Sequence, residues 1–121
     1  MTHRSRYSAA PAFITKDGSE IRELMHPLRH PVRNQGVAEA IVEPGQTTAL
    51  HRHRQSEEVY HITGGRGRMT LGAQVFDVDT GDTICIPPGT PHRIANTGDV
   101  ALKILCTCAP AYSHDDTELL E

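Results

Sequence analysis

Turn-forming residues interrupt the chain every few positions from Gln35 onward, and this spacing leaves little but short strands to build with. "VAEAIV" runs into "EPG", "TTALHRH" into "RQS", and "EEVYHIT" into "GG". "GRMTL" and "QVFDV" flank "GA" as a hairpin, "DTG" leads into "DTICI", "PPGTP" breaks that run, and "HRIAN" resumes it. "TGD" supplies a last turn before "VALKILCTCA". About eight short strands with Gly, Pro, Asn and Asp between them predict an all-β sandwich or barrel. The only helical signal is in the final "DDTELL".

At 121 residues there is room for one domain with a real core. Ahead of the strands, residues 1–33 form an arm in which "KDGSE" signals a turn. Two His-Pro pairs, "MHP" and "RHP", push it toward extended backbone. The barrel proper is expected over residues 34–112, and residues 113–121 make an acidic C-terminal tail expected to be solvated at its tip. Net charge is −3 with the 12 Lys and Arg spread along the chain, which gives no footprint for nucleic acid. No apolar run reaches the ~20 residues of a membrane span. "MTHRSRYSAAPAF" lacks the apolar segment of a signal peptide. Cys85, Cys106 and Cys108 are an odd set, and neighbouring same-face strand cysteines pair poorly, so reduced thiols and a cytoplasmic location are expected.

Period-two alternation then distributes side chains. In "LHRH", His51 and His53 share a face, with Cα atoms ~6.6 Å apart, so both imidazoles can reach one ion. A carboxylate on the following strand can complete that face, and His92, after the rigid "PPGTP", is the natural supplier of a fourth donor. In "EEVYHIT" the alternation groups Glu57, Val59, His61 and Thr63 on one face and Glu58, Tyr60 and Ile62 on the other. Glu58 competes with Glu57; spacing to Gly64 and strand parity favour Glu57 and leave Glu58 in solvent. His61 lies ~13 Å from Glu57 along an ideal strand, too far to be a direct ligand. It is expected to be either a hydrogen-bonded interior histidine or a catalytic proton relay. Cys106 and Cys108 fall inward with Leu102 and Ile104, as small buried hydrophobes or as part of a substrate lining.

The order Gly45, five residues, His51-x-His53, three residues, Glu57, six residues, Gly64 resembles the first cupin motif. Gly81, five residues, Pro87-x-Gly89, two residues, His92, three residues, Asn96 resembles the second, sixteen residues further on. The resemblance implies a double-stranded β-helix, a jelly-roll-like barrel, with Gly64, Gly81, Pro87, Gly89 and Asn96 shaping its corners. It also implies that His51, His53, Glu57 and His92 hold one divalent transition metal per chain. Three imidazoles and a carboxylate suit Fe, Mn, Co or Ni, with Zn also in range. Cupins similar to this one include dioxygenases, decarboxylases, sugar isomerases and binding or sensing modules. An inward lining of Val59, His61, Met69, Leu71, Phe76, Ile104 and Cys106 is mostly apolar and lacks the cations that a phosphosugar requires. A metal-dependent oxidoreductase or lyase of dioxygenase or decarboxylase type, acting on a small molecule, is therefore expected before a sensor or an isomerase. Small bacterial cupins of this kind pair through sheet packing and arm exchange. "TICI", nearly apolar on both faces, fits a homodimer.

Overall fold

A computed structural model describes residues 2–121. Eleven strands are formed among them. The arm contributes β1 (Ala12–Ile14) and β2 (Glu20–Met25). The central strands are β3 (Gly36–Val42), β4 (His51–His53), β5 (Glu57–Gly64), β6 (Arg66–Leu71), β7 (Gln74–Asp79), β8 (Thr83–Ile86), β9 (His92–Asn96) and β10 (Leu102–Ala109). β11 (Thr117–Leu119) closes the chain. The single 3-10 turn, Tyr7–Ala9, is the only helical element among the described residues.

Every pairing is antiparallel, in a six-stranded sheet ordered β1-β2-β3-β10-β5-β8 and a five-stranded sheet ordered β11-β4-β9-β6-β7. The all-β architecture expected from the turn spacing is observed, in the jelly-roll-like form that the resemblance implies. Ile62, Met69, Ile94, Leu102 and Ile104 are almost fully buried between the sheets and form the centre of the core. Leu102, Ile104, Cys106 and Cys108 all face inward along β10, as alternation predicts. "TICI" puts Ile84 and Ile86 inside and Thr83 and Cys85 outside.

The two ends of the chain are more built-in than alternation suggests. The arm is extended, and β2 adds to β3 as a further sheet strand, with Ile21 opposite Ala40. The "KDGSE" turn is made at Gly18, whose φ of 89° is one that glycine adopts at no steric cost. At the other end "DDTELL" is a turn followed by a strand, not a helix: Thr117 pairs with His53 and Leu119 with His51. Arg52 and Arg54 both reach Glu118, and the Leu50 amide donates to the Glu121 side chain, so the acidic tail lies along β4. Edge pairing and two guanidinium partners outweigh the modest helix propensity of six residues, too few to be a stable helix on their own.

Candidate metal centre

β4 and β9 lie side by side with His51 opposite His92, which brings the motif histidines from distant parts of the sequence to one spot. His51, His53 and His92 are all buried, and one donor atom from each lies within 4.8 Å of the others. Their orientation is fixed from behind. His51 Nδ1 is 2.8 Å from the Ala49 carbonyl, and His92 Nδ1 is 2.9 Å from the Thr90 carbonyl. A carbonyl only accepts, so both Nδ1 atoms carry the proton. His53 Nδ1 is 2.9 Å from Thr117 Oγ1, whose own proton goes to the Ser113 carbonyl at 2.9 Å. That hydroxyl therefore accepts from His53. All three rings thus turn an Nε2 lone pair toward the same point, the tautomer that metal-binding imidazoles adopt.

The carboxylate that meets them is Glu58. Its Oε1 is 3.2 Å from His53 Nε2 and 3.4 Å from His92 Nε2. Its other oxygen, Oε2, accepts from the Cys108 thiol at 3.3 Å. Glu57, the carboxylate favoured by spacing to Gly64, is exposed. The pairing of β5 sets this phase. β10 pairs with β5 so that Cys108, Cys106 and Ile104 lie opposite Glu58, Tyr60 and Ile62. Residues directly opposite in an antiparallel pair share a face, so the inward set of β5 is Glu58, Tyr60 and Ile62. The six-residue gap survives with both members moved by one, from Glu58 to Gly65. Gly65 has φ 79°, and a Cβ there would lie 2.7 Å from the Ala101 carbonyl oxygen.

The same phase moves Val59 and His61 to the outer surface. His61 Nδ1 is 2.8 Å from the hydroxyl of exposed Thr83 on β8, away from the histidine cluster, so its expected role as an interior or catalytic residue is withdrawn. One signal in the sequence supported this phase: Tyr60 and Ile62 are the bulkier apolar pair, and Glu57, His61 and Thr63 the more polar set.

Electrostatics within the cluster follow from burial and from the contacts among its members. Burial pushes the Glu58 carboxyl up, but the His53 and His92 rings beside it outweigh that and hold it at about 2. Burial lowers His53, yet its contact with Glu58 leaves it raised. His51 is lowered, by burial first and by the neighbouring His92 second. Glu58 Oε1 and His92 Nε2 are buried with no hydrogen-bond partner. Two lone pairs facing each other in a dry site are unfavourable without a positive centre between them. Three imidazoles and one carboxylate suit a first-row divalent ion, so the residues present fit a metal.

A cavity of about 60 Å³ opens beside the cluster, lined by Tyr60, Cys106, Tyr112, Phe13, Asp17 and Lys16 among others. Tyr60, Cys106 and Tyr112 are all raised above their ordinary values, burial being the leading cause in each, and remain protonated. Lys16 is the lining residue with a fixed positive charge, and it donates to the carbonyls of His114 and Thr117.

Two antiparallel sheets that enclose a buried three-histidine, one-carboxylate cluster define a cupin barrel. The Cupin domain model matches residues 38–108, and the chain belongs to the cupin family. It is 55% identical over 118 residues to the uncharacterized protein MJ1618 of Methanocaldococcus jannaschii, across 98% of this chain and 94% of that one. Among solved structures, Streptomyces Pac13 with uridine superposes with a TM-score of 0.82 at 19% identity, covering 100% of this chain and 92% of its own. Pac13 is described as a nucleoside dehydratase. Bacillus subtilis oxalate decarboxylase OxdC gives 0.83 at 23% identity, across 98% of this chain but 32% of its own length. At these identities the likeness is one of fold.

Proposed function

We propose that this cupin is a metal-dependent enzyme, a lyase or oxidoreductase, that acts on a small organic molecule held against a divalent ion by His51, His53, His92 and Glu58. The observation that carries the reading is the convergence of buried donor atoms, two of them unpartnered. A chain that needed these groups only for structure would have paired them with protons or replaced them with apolar side chains. The bound ion would supply Lewis-acid activation of the substrate. The chain's own residues orient and enclose. Tyr60, kept protonated, offers a hydroxyl to the cavity, and the apolar and thiol lining limits water.

Cavity size and charge narrow the substrate. About 60 Å³ accommodates a few waters or a molecule of a few heavy atoms. Lys16 is already committed to two carbonyls, so a phosphorylated sugar finds no free cation in the lining, which argues against isomerase chemistry. Small carboxylic acids, phenols and diketones are the appropriate panel. Purified protein reconstituted with Fe(II), Mn(II) or Ni(II) should hold close to one ion per chain and turn over a member of that panel. Reconstituted protein that retains no metal would sink the reading. Metal without turnover across the panel would leave a ligand-binding protein instead.

Assembly is part of the same proposal. Phe13 and Ile14 in β1 and Leu28 in the turn after β2 expose apolar side chains, Leu28 at 85%. A homodimer that covers the arm would remove them from water. Light scattering at micromolar concentration should report twice the chain mass, and a monomer would refute it.

A further inference from the structure

Asp17 sits in the turn between β1 and β2, outside both sequence motifs, yet its side chain enters the cavity beside the histidines. Its Oδ1 is fully engaged. It accepts from Thr15 Oγ1 at 2.7 Å, from the Ser19 amide at 2.9 Å and from Ser19 Oγ at 2.6 Å. Its Oδ2 is left facing His51 Nε2 at 3.6 Å. The backbone is tied down as well, because the Ala49 amide donates to the Asp17 carbonyl at 2.8 Å. Ala49 is also the residue whose carbonyl fixes the His51 ring. The arm turn and the His51 imidazole are therefore held by one peptide segment.

The Nδ1 proton of His51 is committed to Ala49, so its Nε2 presents a lone pair to Oδ2, which is itself only an acceptor when ionised. This repeats the relation of Glu58 Oε1 to His53 and His92. The separations are alike too: 3.6 Å here against 3.2 Å and 3.4 Å there. Donors bound at right angles to one ion with bonds of about 2.1 Å lie about 3.0 Å apart, so each pair is close to the spacing that a shared cation requires. Charge points the same way. Three neutral imidazoles with Glu58 alone would leave a divalent ion with an uncompensated positive charge in a buried site. A second carboxylate neutralises it.

We infer that Asp17 is a fifth protein donor to the ion, delivered by the arm. The inference rests on the metal reading above. A six-coordinate ion then keeps one position for a substrate atom, and a chelating substrate enters only by displacing the Asp17 carboxylate. The arm is thus part of the metal site, and the cavity is small because the donor it carries reaches the ion.

Asp17→Asn tests this on the full-length protein. The amide retains an acceptor oxygen for Thr15 and Ser19, and its NH₂ can donate to His51 Nε2. The metal-free variant should therefore melt no lower than the wild type. Its Co(II) affinity by calorimetry should fall about tenfold or more, and the Co(II) d–d absorption should change shape with the altered coordination. Ser19→Ala, which loosens the turn but leaves Oδ2 in place, should keep the wild-type Co(II) spectrum. An Asp17→Asn protein with wild-type affinity, or with lowered affinity and an unchanged spectrum, would overturn the inference. So would Ser19→Ala matching Asp17→Asn in both readouts. Wild type that binds no Co(II) would instead defeat the metal reading itself.

Discussion

The floor and the mouth of the cavity are built by different means. In the floor, His51, His53, Glu58 and His92 stand on paired strands, and each is steadied from behind by a carbonyl, a hydroxyl or a thiol. At the mouth, Asp17 rides on a five-residue turn of an arm whose β1 strand is exposed throughout. The floor's geometry is over-determined by two sheets, whereas the mouth's depends on a few hydrogen bonds around Gly18. Regular strands fix the floor, whereas the mouth is held by hydrogen bonds within and beside one turn.

The strongest way to break this contrast is to remove a floor ligand. His92→Ala should abolish stoichiometric metal binding by elemental analysis. At a free metal concentration 100 times the wild-type dissociation constant, wild type gains about 2.7 kcal/mol from the ion, and the variant should lose that gain. Equal metal content and equal melting in the two proteins would end the distinction between floor and mouth.

Next in size is the choice between adjacent glutamates. Glu58→Gln should weaken metal affinity by about 10–100-fold, while Glu57→Gln, on the solvent face, should leave it unchanged. The opposite result would restore the spacing to Gly64 and show the β5 phase to be wrong.

Acidity sharpens the comparison further, because the floor must lose protons to take the ion. His53 is raised, so its contribution to the metal-free fold is present below its ordinary 6.5 and is lost as pH rises through its folded value. Glu58 is depressed, so its contribution is present above its ordinary 4.5 and is lost as pH falls toward 2. His51 is lowered and opposes His53: its contribution falls as pH drops below 6.5. Between pH 5.5 and 8 the two histidines act on the metal-free protein in opposite directions. The extra melting temperature conferred by metal should rise across that window. A metal-induced shift of constant size from pH 5.5 to 8 would show that no floor imidazole exchanges a proton for the ion.

The smallest effect belongs outside the barrel. His61→Gln removes an exposed contact with Thr83 and should alter stability by no more than about 0.5 kcal/mol. Metal content and turnover should stay at wild-type values. A shifted pH–rate profile in this variant would return His61 to the chemistry.

Much of this site is legible in one dimension. His51 and His53 are two residues apart on a strand, and strand periodicity alone puts both rings on one side. His92 follows "PPGTP", whose prolines leave few ways to enter β9. The phase of β5 is another matter. Both glutamates have a glycine seven residues downstream, so spacing could not choose between Gly64 and Gly65. The choice is made where β5 begins. Asp116 accepts from the amides of Gln55 and Ser56, and Ser56 Oγ donates to the Pro110 carbonyl. Those partners are more than 50 residues away in the chain, and they set how far the backbone turns before the strand starts.

Fold class, strand number within a few, and the shared face of His51 and His53 followed from the sequence by itself, because turn residues and period-two alternation are local properties of the backbone. His92 joined them through the motif resemblance. Which glutamate faces inward, where His61 points, the strand made by the acidic tail and the approach of Asp17 were decided only by tertiary structure. Each depends on registry between segments distant in the chain. A one-residue change of register moves every side chain of a strand to the other face, and the local pattern of β5 favours one phase too weakly to fix it.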